Sequence, residues 1–275
     1  MDIKIAIQGF EGSFHQEAAQ RYFGKNISTI CCTTFKEVVK LASSKNENIA
    51  GVMAIENSIA GSILPNYTLL QKSNLKIAGE VYLQIKQHLL VNAGVKMEDI
   101  KEVHSHPMAL LQCAEYLDKQ TWKLIETDDT ALSAKHVHQH KSKHIAAVAS
   151  KLAARLYNLQ IIAPNIHTQK NNYTRFLVLK RENYAVKIED ADKASINFVT
   201  NHKKGSLAKV LGIIAEAGIN LSKLQSMPIP GSNFQYSFHA DLEFDNKRQF
   251  DNVIILLKKL TQNITVFGIY KNGKK

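Results

Sequence analysis

The sequence predicts an α/β protein in which a two-lobed first region is followed by a smaller βαββαβ domain. Short apolar runs alternate with helical stretches from Ile3 to about Lys180, which is typical of α/β layers with a largely parallel sheet. Residues 77–93 form a long extended stretch without a helix, as expected where a chain crosses from one lobe to another. A polar segment at 182–192 then separates this region from a second pattern of strands and helices.

The first region opens with a predicted strand, IKIAI, and a helix that begins at Ser13. Ser13 and Gln16 have the spacing of a capping box. The strand AGVMAIE leads into NSIAGSILPNY, and IAAVAS and FLVL predict further buried strands. Pro107 is expected at the first position of a helix, and Thr127 is expected to cap the next one. Because these polar segments follow strands, they should meet at the sheet edge where open α/β sheets bind ligands.

The second pattern begins with the strand SINFVT and a helix whose residues Leu207, Val210 and Ile214 share one face with Leu211. Apolar residues alternate with polar ones from Phe234 to Phe244, which predicts a half-buried antiparallel strand. A helix that contains Phe250, Val253, Ile254 and Leu257 and a strand over 264–269 complete the order βαββαβ. This order is the ferredoxin-like arrangement.

The composition favours a protein that binds a small anion. The chain of 275 residues has 35 Lys and Arg against 24 Asp and Glu, a net charge of +11. The basic residues are scattered, so an anionic substrate is favoured over nucleic acid. Its three cysteines suit neither a disulfide framework nor a zinc site. With no leader and no apolar run near the roughly 18 residues of a membrane span, we expect a cytoplasmic protein without a membrane partner.

Two further motifs carry weaker signals. GFEGSFHQ follows the first strand but lacks the third glycine of a dinucleotide fingerprint and the lysine of a P-loop, so a helix cap or an anion site is favoured there. His136, His140 and His144 lie four residues apart and could face one side of a helix. No carboxylate or cysteine joins them at ligand spacing and lysines lie among them, so we expect a solvated face and no metal.

Five ordered motifs resemble those of the prephenate dehydratase family: IENSIAGS, HPMALLQC, TDDTALSA, IAAVASKLAARLYNL and NNYTRFLVL. The segment KGSLAKVLGIIAEAGINLSKLQSMP resembles the ligand-binding half of an ACT domain. The resemblance implies a catalytic domain over 1–181 with two lobes similar to periplasmic binding proteins, joined near 77–93 and 160–172. It also implies a linker over 182–192 and an ACT regulatory domain over 193–275.

The family activity is the decarboxylating dehydration of prephenate to phenylpyruvate in phenylalanine biosynthesis, with feedback by phenylalanine. Aromatisation drives this reaction, so positioning and preorganised donors suffice and no cofactor is expected. The resemblance makes Thr174 the catalytic donor to the leaving hydroxyl, and Arg175 is expected to meet a substrate carboxylate. The expected substrate-binding residues are Ser13, Glu56, Asn57, Ser58, Ser62, His106, Thr130, Asn172 and Phe176. The expected phenylalanine-binding residues are Gly205, Ser206, Leu207, Asn220 and Leu221.

Several alternatives stay open at this point. An arogenate dehydratase shares these motifs, a solute-binding protein shares the two-lobed fold, and a nucleic-acid binder would explain the charge. The second domain could be a dimerisation module only, since Gln225 and Met227 stand where the family usually has an acidic and a basic residue. ACT domains pair side by side, so the resemblance implies a homodimer or homotetramer. Because the chain starts on a strand, we expect the form without a fused chorismate mutase.

Overall fold

The protein is known from a computed structural model, which describes residues 3–46, 48–182, 189–233 and 235–274. The chain divides into two compact units. Unit 1 contains the residues up to 73 and 81–178, and unit 2 contains residues 74–80 and the chain from 179 onward. The predicted mixed α/β class is confirmed. The compact units differ from the predicted boundary, because 74–80 and 179–181 belong with the C-terminal part of the chain. Of the predicted linker, residues 183–188 lie outside the described residues, as does Phe234.

Sheet A contains the chain's first five strands and one late strand, in the order β2-β1-β3-β11-β5 with β4 beside β3. Its strands are β1 Lys4–Gln8, β2 Ser28–Cys32, β3 Ile49–Asn57, β4 Gly61–Ser62, β5 Leu75–Gln84 and β11 Tyr173–Arg181. Strand β1 is parallel to both β2 and β3, as predicted. Helices α1 Phe14–Phe23, α2 Phe35–Ala42 and α3 Leu64–Gln71 lie between these strands in the chain. Of the segment NSIAGSILPNY, which follows a strand and was expected to be helical, only the part from Leu64 onward is helical, because β4 precedes it.

Sheet B has the strand order β10-β6-β9-β7-β8. Its strands are β6 His88–Val91, β7 Glu102–Ser105, β8 Lys123–Glu126, β9 Ile145–Ala149 and β10 Gln160–Ala163. Strand β7 is parallel to β8 and β9, whereas β6 is antiparallel to both β9 and β10, so the sheet is mixed rather than largely parallel. A 3-10 turn at Met97–Asp99 and helices α4 Pro107–Gln112, α5 Ala114–Leu117, α6 Thr130–Gln139 and α7 Lys151–Leu156 complete this part of unit 1.

Both faces of sheet B are buried. Leu89 and Val91 pack into one apolar cluster with Val103, whereas Leu90, between them in the sequence, packs into another with Ala131. Neighbouring residues of a strand point to opposite faces, so this division requires helices on each side of the sheet. The carboxyl ends of its parallel strands are therefore the polar edge available to a ligand.

The starts of helices α1 and α6 are both capped, but the details of both caps differ from the prediction. Ser13 caps α1 by accepting a hydrogen bond from the Gln16 N–H, and the Gln16 Oε1 atom accepts one from the Gly12 N–H at 2.6 Å. The predicted capping box would have used the N–H of Ser13 itself. Helix α6 is capped by Asp129, not by Thr127, because the Asp129 carboxylate accepts from two backbone N–H groups of the first turn.

The loop after β1 joins sheet A to helix α7. The Ser150 hydroxyl donates to the Gly12 carbonyl at 2.7 Å, and the Tyr157 hydroxyl donates to the Glu11 carbonyl at 2.7 Å. Gly12 has φ +89°, and a Cβ atom at this position would lie 2.9 Å from the Ala153 Cα atom. Only glycine satisfies both the backbone conformation and this close approach.

Unit 2 has the predicted element order βαββαβ, with the sheet C order β13-β14-β12-β15. Its elements are β12 Lys193–Thr200, α8 Ser206–Glu216, β13 Asn220–Pro228, β14 Tyr236–Glu243, α9 Lys247–Leu260 and β15 Thr261–Tyr270. Leu207, Val210 and Ile214 of α8 and the predicted apolar residues of α9 pack into one apolar cluster with this sheet, and Leu211 is not among its described members. No helix of the described chain is long and apolar enough to cross a membrane.

Strand β14 is buried on both faces, so the prediction of a half-buried strand was wrong. Ala240 and Leu242 pack against the helices, but His239 and Asp241 on the opposite face are also buried. The Ser195 hydroxyl donates to the Asp241 carboxylate on that face. Residues 74–80 reach the same face of sheet C, where the Lys193 ammonium lies 2.9 Å from the Glu80 carboxylate. A segment more than a hundred residues away in the chain therefore covers these polar side chains.

The close approach at Gly12 leads to a stability prediction. We expect Gly12→Ala to lower the free energy of unfolding by about 2–5 kcal/mol, because it adds backbone strain to an overpacked contact. Gly61→Ala is the matched control, since Gly61 has φ +81° but open space around its Cβ position, and it should cost only about 1 kcal/mol. Urea denaturation of both variants measures the difference. Equal losses would show that the contact with Ala153 contributes nothing.

Candidate active site

A cavity of about 230 Å³ is bordered by residues of sheets A and B within unit 1. Sheet A contributes the end of β1, the first turn of α1, the end of β3 and the start of β11. The other wall comes from the starts of α4 and α6, and Ile85 and Gln87 lie between β5 and β6. The described residues that border it are Gln8, Ser13, Phe14, His15, Ala54, Asn57, Ile85, Gln87, His106, Met108, Ala109, Gln112, Asp128, Asp129, Thr130, Thr174 and Phe176.

The hydroxyl of Thr174 is oriented by the side-chain amide of Asn57. The Asn57 Oδ1 atom accepts hydrogen bonds from the Ile59 and Ala60 N–H groups at 3.0 and 2.9 Å, so the Nδ2 group must point the other way. Nδ2 lies 3.0 Å from the Thr174 Oγ1 atom and donates to it. Because the Thr174 oxygen acts as an acceptor in this bond, its own hydrogen can be donated into the cavity.

The same amide holds the start of β11. The two Nδ2 hydrogens of Asn57 are shared among three acceptors, because the Asn172 side-chain oxygen at 2.7 Å and the Tyr173 carbonyl at 3.2 Å lie beside the Thr174 oxygen. The Ser58 hydroxyl donates to the Asn171 carbonyl and accepts from the Tyr173 N–H. These bonds tie the end of β3 to the residues before Thr174, so the position of the catalytic candidate depends on both strands.

His15 borders the cavity and was missed in the sequence. Its ring lies edge-on to Phe176, with centroids 5.0 Å apart, and 5.3 Å from the Phe35 ring. The Nε2 atom accepts a hydrogen bond from the Ala54 N–H at 3.4 Å. Burial lowers the pKa of His15 to about 3, so the ring is neutral at physiological pH. A histidine in the first turn of a helix that opens at the sheet edge was the available signal.

The wall from sheet B is made of polar groups on two helix starts. The His106 Nδ1 atom accepts from the Met108 N–H and caps α4. Burial raises the pKa of the Asp129 carboxyl, although the N–H groups of α6 oppose the shift. Thr130 borders the cavity one residue further on. Gln112 and Gln87 also border it, and nothing in their sequence context distinguished them from ordinary polar residues.

Five of the expected contacts do not border this cavity among the described residues: Arg175, Glu56, Ser58, Ser62 and Asn172. Thr174 and Phe176 border the cavity, so Arg175 between them points to the other face of the sheet. Its guanidinium is 4 % exposed, 4.0 Å from the Glu56 carboxylate and 5.9 Å from the Tyr82 ring centre. Glu56, Ser58 and Ser62 do not border the cavity either, and Ser62 pairs with Glu56 across β4 and β3. The structure therefore separates Arg175 from Thr174, and the anion beside Arg175 is a protein carboxylate.

The cavity is polar without being cationic. No Lys or Arg is found among its described lining residues, whose polar side chains offer amide, hydroxyl and imidazole groups together with the carboxyl groups of Asp128 and Asp129. Such a lining can hold a polar anion by hydrogen bonds. A second cavity of about 340 Å³ shares Met108 and Gln112 with the first. Asn172, expected to bind substrate, borders this second cavity and is fully buried.

In unit 2 a cavity of about 510 Å³ is bordered by residues 200–208. Gly205, Ser206 and Leu207 belong to it, and Gly205 has φ +79°. Asn220 and Leu221 start β13 and do not border this cavity in the described chain, and the Asn220 amide donates to the Glu243 carboxylate at 3.0 Å. Two of the five expected effector contacts are therefore separated from the other three within one chain.

The described part of the chain has no group of three or more His, Cys, Asp or Glu side chains that could hold a metal ion. Of the three spaced histidines, His136 and His140 lie on and at the end of α6, with ring centroids 6.2 Å apart. His144 instead contacts the Asp99 carbonyl at 3.0 Å. The three rings therefore do not converge on one point.

Fold and cavity define an α/β protein that can bind a small polar molecule between two sheets. The family model of prephenate dehydratase matches residues 5–184. The chain is 38% identical to arogenate dehydratase/prephenate dehydratase 1 of Arabidopsis thaliana, with 98% of this chain and 72% of the relative covered. It is 35% identical to the bifunctional chorismate mutase/prephenate dehydratase of Aquifex aeolicus, with 98% and 73% covered. The chain belongs to the prephenate dehydratase family, and it is a dehydratase, a carbon–oxygen lyase of aromatic amino-acid biosynthesis.

Solved structures share the fold over nearly the whole chain. A prephenate dehydratase from Arthrobacter aurescens in complex with L-Phe has a TM-score of 0.87 at 23% identity, with 99% of this chain and 91% of that chain covered. A second structure, described as GqqA, a novel type of quorum quenching acylase, has a TM-score of 0.85 at 27% identity, with 98% of each chain covered. The fold therefore extends through unit 2, beyond the residues that the family model matches.

The role of Asn57 can be tested by an isosteric change. Asn57→Asp keeps the oxygen that accepts from two N–H groups but turns the donor into an acceptor that faces the Thr174 oxygen. We expect the dehydratase kcat to fall roughly 10²-fold or more, because the hydroxyl loses its orientation. Asn92→Asp is the control, since the Asn92 amide likewise donates to two carbonyls but lies outside the cavity lining. If both variants lose similar stability and both keep a normal kcat, Asn57 has no role in orienting the Thr174 hydroxyl for catalysis.

Proposed function

We propose that the chain converts prephenate to phenylpyruvate in the cavity bordered by Thr174, and that phenylalanine regulates this reaction. The observation that carries the proposal is the Thr174 hydroxyl, which borders the cavity with its oxygen bonded to Asn57 and its hydrogen available. The same residue is the second of the buried strand β11, in a chain that belongs to the prephenate dehydratase family.

The chemistry requires a donor and a positioning cavity. As the ring carboxylate of prephenate leaves as carbon dioxide, the electrons of its carbon–carbon bond complete the aromatic ring. The hydroxyl across the ring leaves with the electrons of the carbon–oxygen bond and takes up a proton to become water. We assign Thr174 the hydrogen bond to that hydroxyl, which strengthens as negative charge develops on the oxygen.

Neutral donors suit this substrate. A cation fixed beside the ring carboxylate would stabilise the charge that the reaction must remove, and it would stabilise the ground state more than the transition state. The amides of Gln8, Gln87 and Gln112 and the hydroxyls of Ser13 and Thr130 are neutral and border the cavity. We assign the two substrate carboxylates to these groups, in place of Arg175.

Acyl transfer, the activity in the description of GqqA, is not favoured. An acylase of the nucleophilic type needs a hydroxyl or thiol next to a general base. In the described chain the hydroxyl oxygens of Thr174 and Ser13 accept from Asn57 and from the Gln16 N–H, and neither is hydrogen-bonded to a histidine or a carboxylate.

Arogenate is the second candidate substrate, because relatives at 35–38% identity carry its name. Incubation of the purified protein with each compound distinguishes them, by the formation of phenylpyruvate or of phenylalanine.

We assign the catalytic domain to the two-lobed fold of periplasmic binding proteins and unit 2 to the ACT fold. The two sheets that border one cavity support the first assignment, and the βαββαβ order supports the second. Phenylalanine is the proposed effector, at the cavity of residues 200–208, with Asn220 and Leu221 supplied by a second subunit of a homodimer or homotetramer. We place the protein in the cytoplasm, without a cofactor, a metal or a nucleic-acid partner.

The catalytic assignment predicts the outcome of two changes at one residue. Thr174→Val keeps the shape of the side chain and removes the donor, so kcat for prephenate should fall roughly 10²- to 10³-fold with KM little changed. Thr174→Ser keeps the hydroxyl and should retain activity within about tenfold. Steady-state kinetics by absorbance of phenylpyruvate measures both. A valine variant with near-normal turnover would remove Thr174 from the mechanism.

The effector assignment is tested by a point change, because deletion of the C-terminal residues would also remove the packing partners of residues 74–80. Gly205→Val should weaken phenylalanine binding at least tenfold, since a side chain at φ +79° strains the loop that borders the cavity. Gly231→Val is the matched control, with φ +78° and open space in the same unit. Titration calorimetry with millimolar phenylalanine measures both. No binding by the unaltered protein would leave unit 2 as a dimerisation module.

A further inference from the structure

His15 is held at the cavity from three sides. Phe35 and Phe176 contact its ring, with centroids 5.3 and 5.0 Å away, and Ala54 donates its N–H to the Nε2 atom. Strand β1 pairs with β3 only as far as Val52, so this pairing leaves the Ala54 N–H to another acceptor, which is the histidine. The ring is therefore a structural part of the sheet edge as well as part of the cavity wall.

The bond to Ala54 decides where the imidazole proton lies. Nε2 acts as an acceptor, so in the neutral ring the proton must be on Nδ1. An imidazolium would direct a second N–H at the N–H of Ala54 and would lack a counter-ion between two aromatic rings. Burial independently lowers the pKa of this ring to about 3. Both effects keep His15 neutral with a defined tautomer.

The Nδ1–H group has no protein acceptor among the described residues. Nδ1 makes no hydrogen bond to a described residue. It is also not one of the buried side-chain atoms without a partner, so it remains accessible to solvent. The ring is only partly buried and borders the cavity. A donor that is fixed in tautomer and orientation, and that the protein does not use, is thus available to a bound ligand.

We propose that His15 is a substrate-binding residue whose Nδ1–H group donates a hydrogen bond to a carboxylate of the dianionic substrate. This inference rests on the function proposed above and extends it to a residue outside the motif NNYTRFLVL. The cavity wall contains no Lys or Arg among its described residues, so each oriented neutral donor carries a larger share of carboxylate recognition. A neutral imidazole is known to act as such a donor when its environment prevents protonation.

Other titratable groups near the ring do not change this assignment. The residues that contact the ring, Ala54, Phe35 and Phe176, carry no ionisable side chain. His106, Asp128 and Asp129 border the same cavity from the side of sheet B. One oxygen of the Asp129 carboxylate, Oδ1, accepts from two N–H groups of α6. Any titration of substrate affinity near neutral pH therefore belongs to other groups than His15.

The test compares two substitutions of His15. His15→Phe removes the donor and keeps an aromatic ring, and it should raise KM roughly 10- to 100-fold, the scale of one hydrogen bond to a charged group, with kcat changed less than about threefold. His15→Asn places an amide nitrogen near the position of Nδ1, and it should restore KM to within about threefold of the unaltered protein. His140→Phe, on the exposed end of α6, is the control for histidine removal and should leave KM unchanged.

A second measurement reports on the tautomer without any substrate. Nitrogen-15 NMR of histidine-labelled protein, assigned with the His15→Asn variant, should show His15 as the Nδ1-protonated neutral form throughout about pH 6 to 8, where an ordinary histidine titrates. An imidazolium or an Nε2-protonated ring would overturn the inference. So would a normal KM in His15→Phe, or a failure of His15→Asn to restore it, provided that the unaltered protein turns over prephenate or arogenate. Turnover of neither compound would overturn the proposed function instead, and this inference with it.

Discussion

The orientation of one side-chain amide, that of Asn57, fixes the geometry on which the site depends. Two backbone N–H groups of the following turn occupy its oxygen, which leaves its nitrogen facing the start of β11. From there it bonds the side chains of Asn172 and Thr174 and the carbonyl of Tyr173. A threonine hydroxyl that rotates freely contributes little to catalysis, because its hydrogen is not oriented toward the reacting group. A hydroxyl whose oxygen already accepts a hydrogen bond can donate only in a restricted direction. The turn after β3 thereby sets the direction of a donor that lies more than a hundred residues later in the chain.

Much of the fold could be predicted because it depends on local patterns. The apolar strands of sheets A and B, the helix starts at Ser13 and Pro107, and the βαββαβ order all follow from periodicity and caps. The second face of β14 could not be predicted, since its burial depends on residues 74–80, which are distant in sequence. The cap of α6 was wrong for a different reason, because Thr127 and Asp129 are both good capping residues two positions apart and only the backbone path decides between them.

Of the residues that the motif NNYTRFLVL predicts for the site, Thr174 and Phe176 border the cavity and Arg175 does not. Side chains alternate between the two faces of a strand, so Thr174 and Phe176 of β11 lie on one face and Arg175 lies on the other. This rule alone would have excluded Arg175 from the cavity. Gln87 and Gln112 carried no signal, because a glutamine in a helix or a loop is ordinary until a cavity is known. His15 lies only two residues after Ser13, which was among the predicted contacts. We propose that a substrate that must lose a carboxylate is better held by oriented neutral donors than by a buried cation.

The proposed mechanism requires the substrate hydroxyl to lie beside Thr174, and a crystal structure with a non-reacting substrate analogue tests this most directly. The analogue should keep the ring hydroxyl and both carboxylates but be unable to aromatise. The account predicts its hydroxyl oxygen about 3 Å from the Thr174 Oγ1 atom, with the Asn57 amide still bonded to that atom. An analogue bound with its hydroxyl remote from Thr174, or bound in the second cavity beside Leu111 and His167, would contradict it.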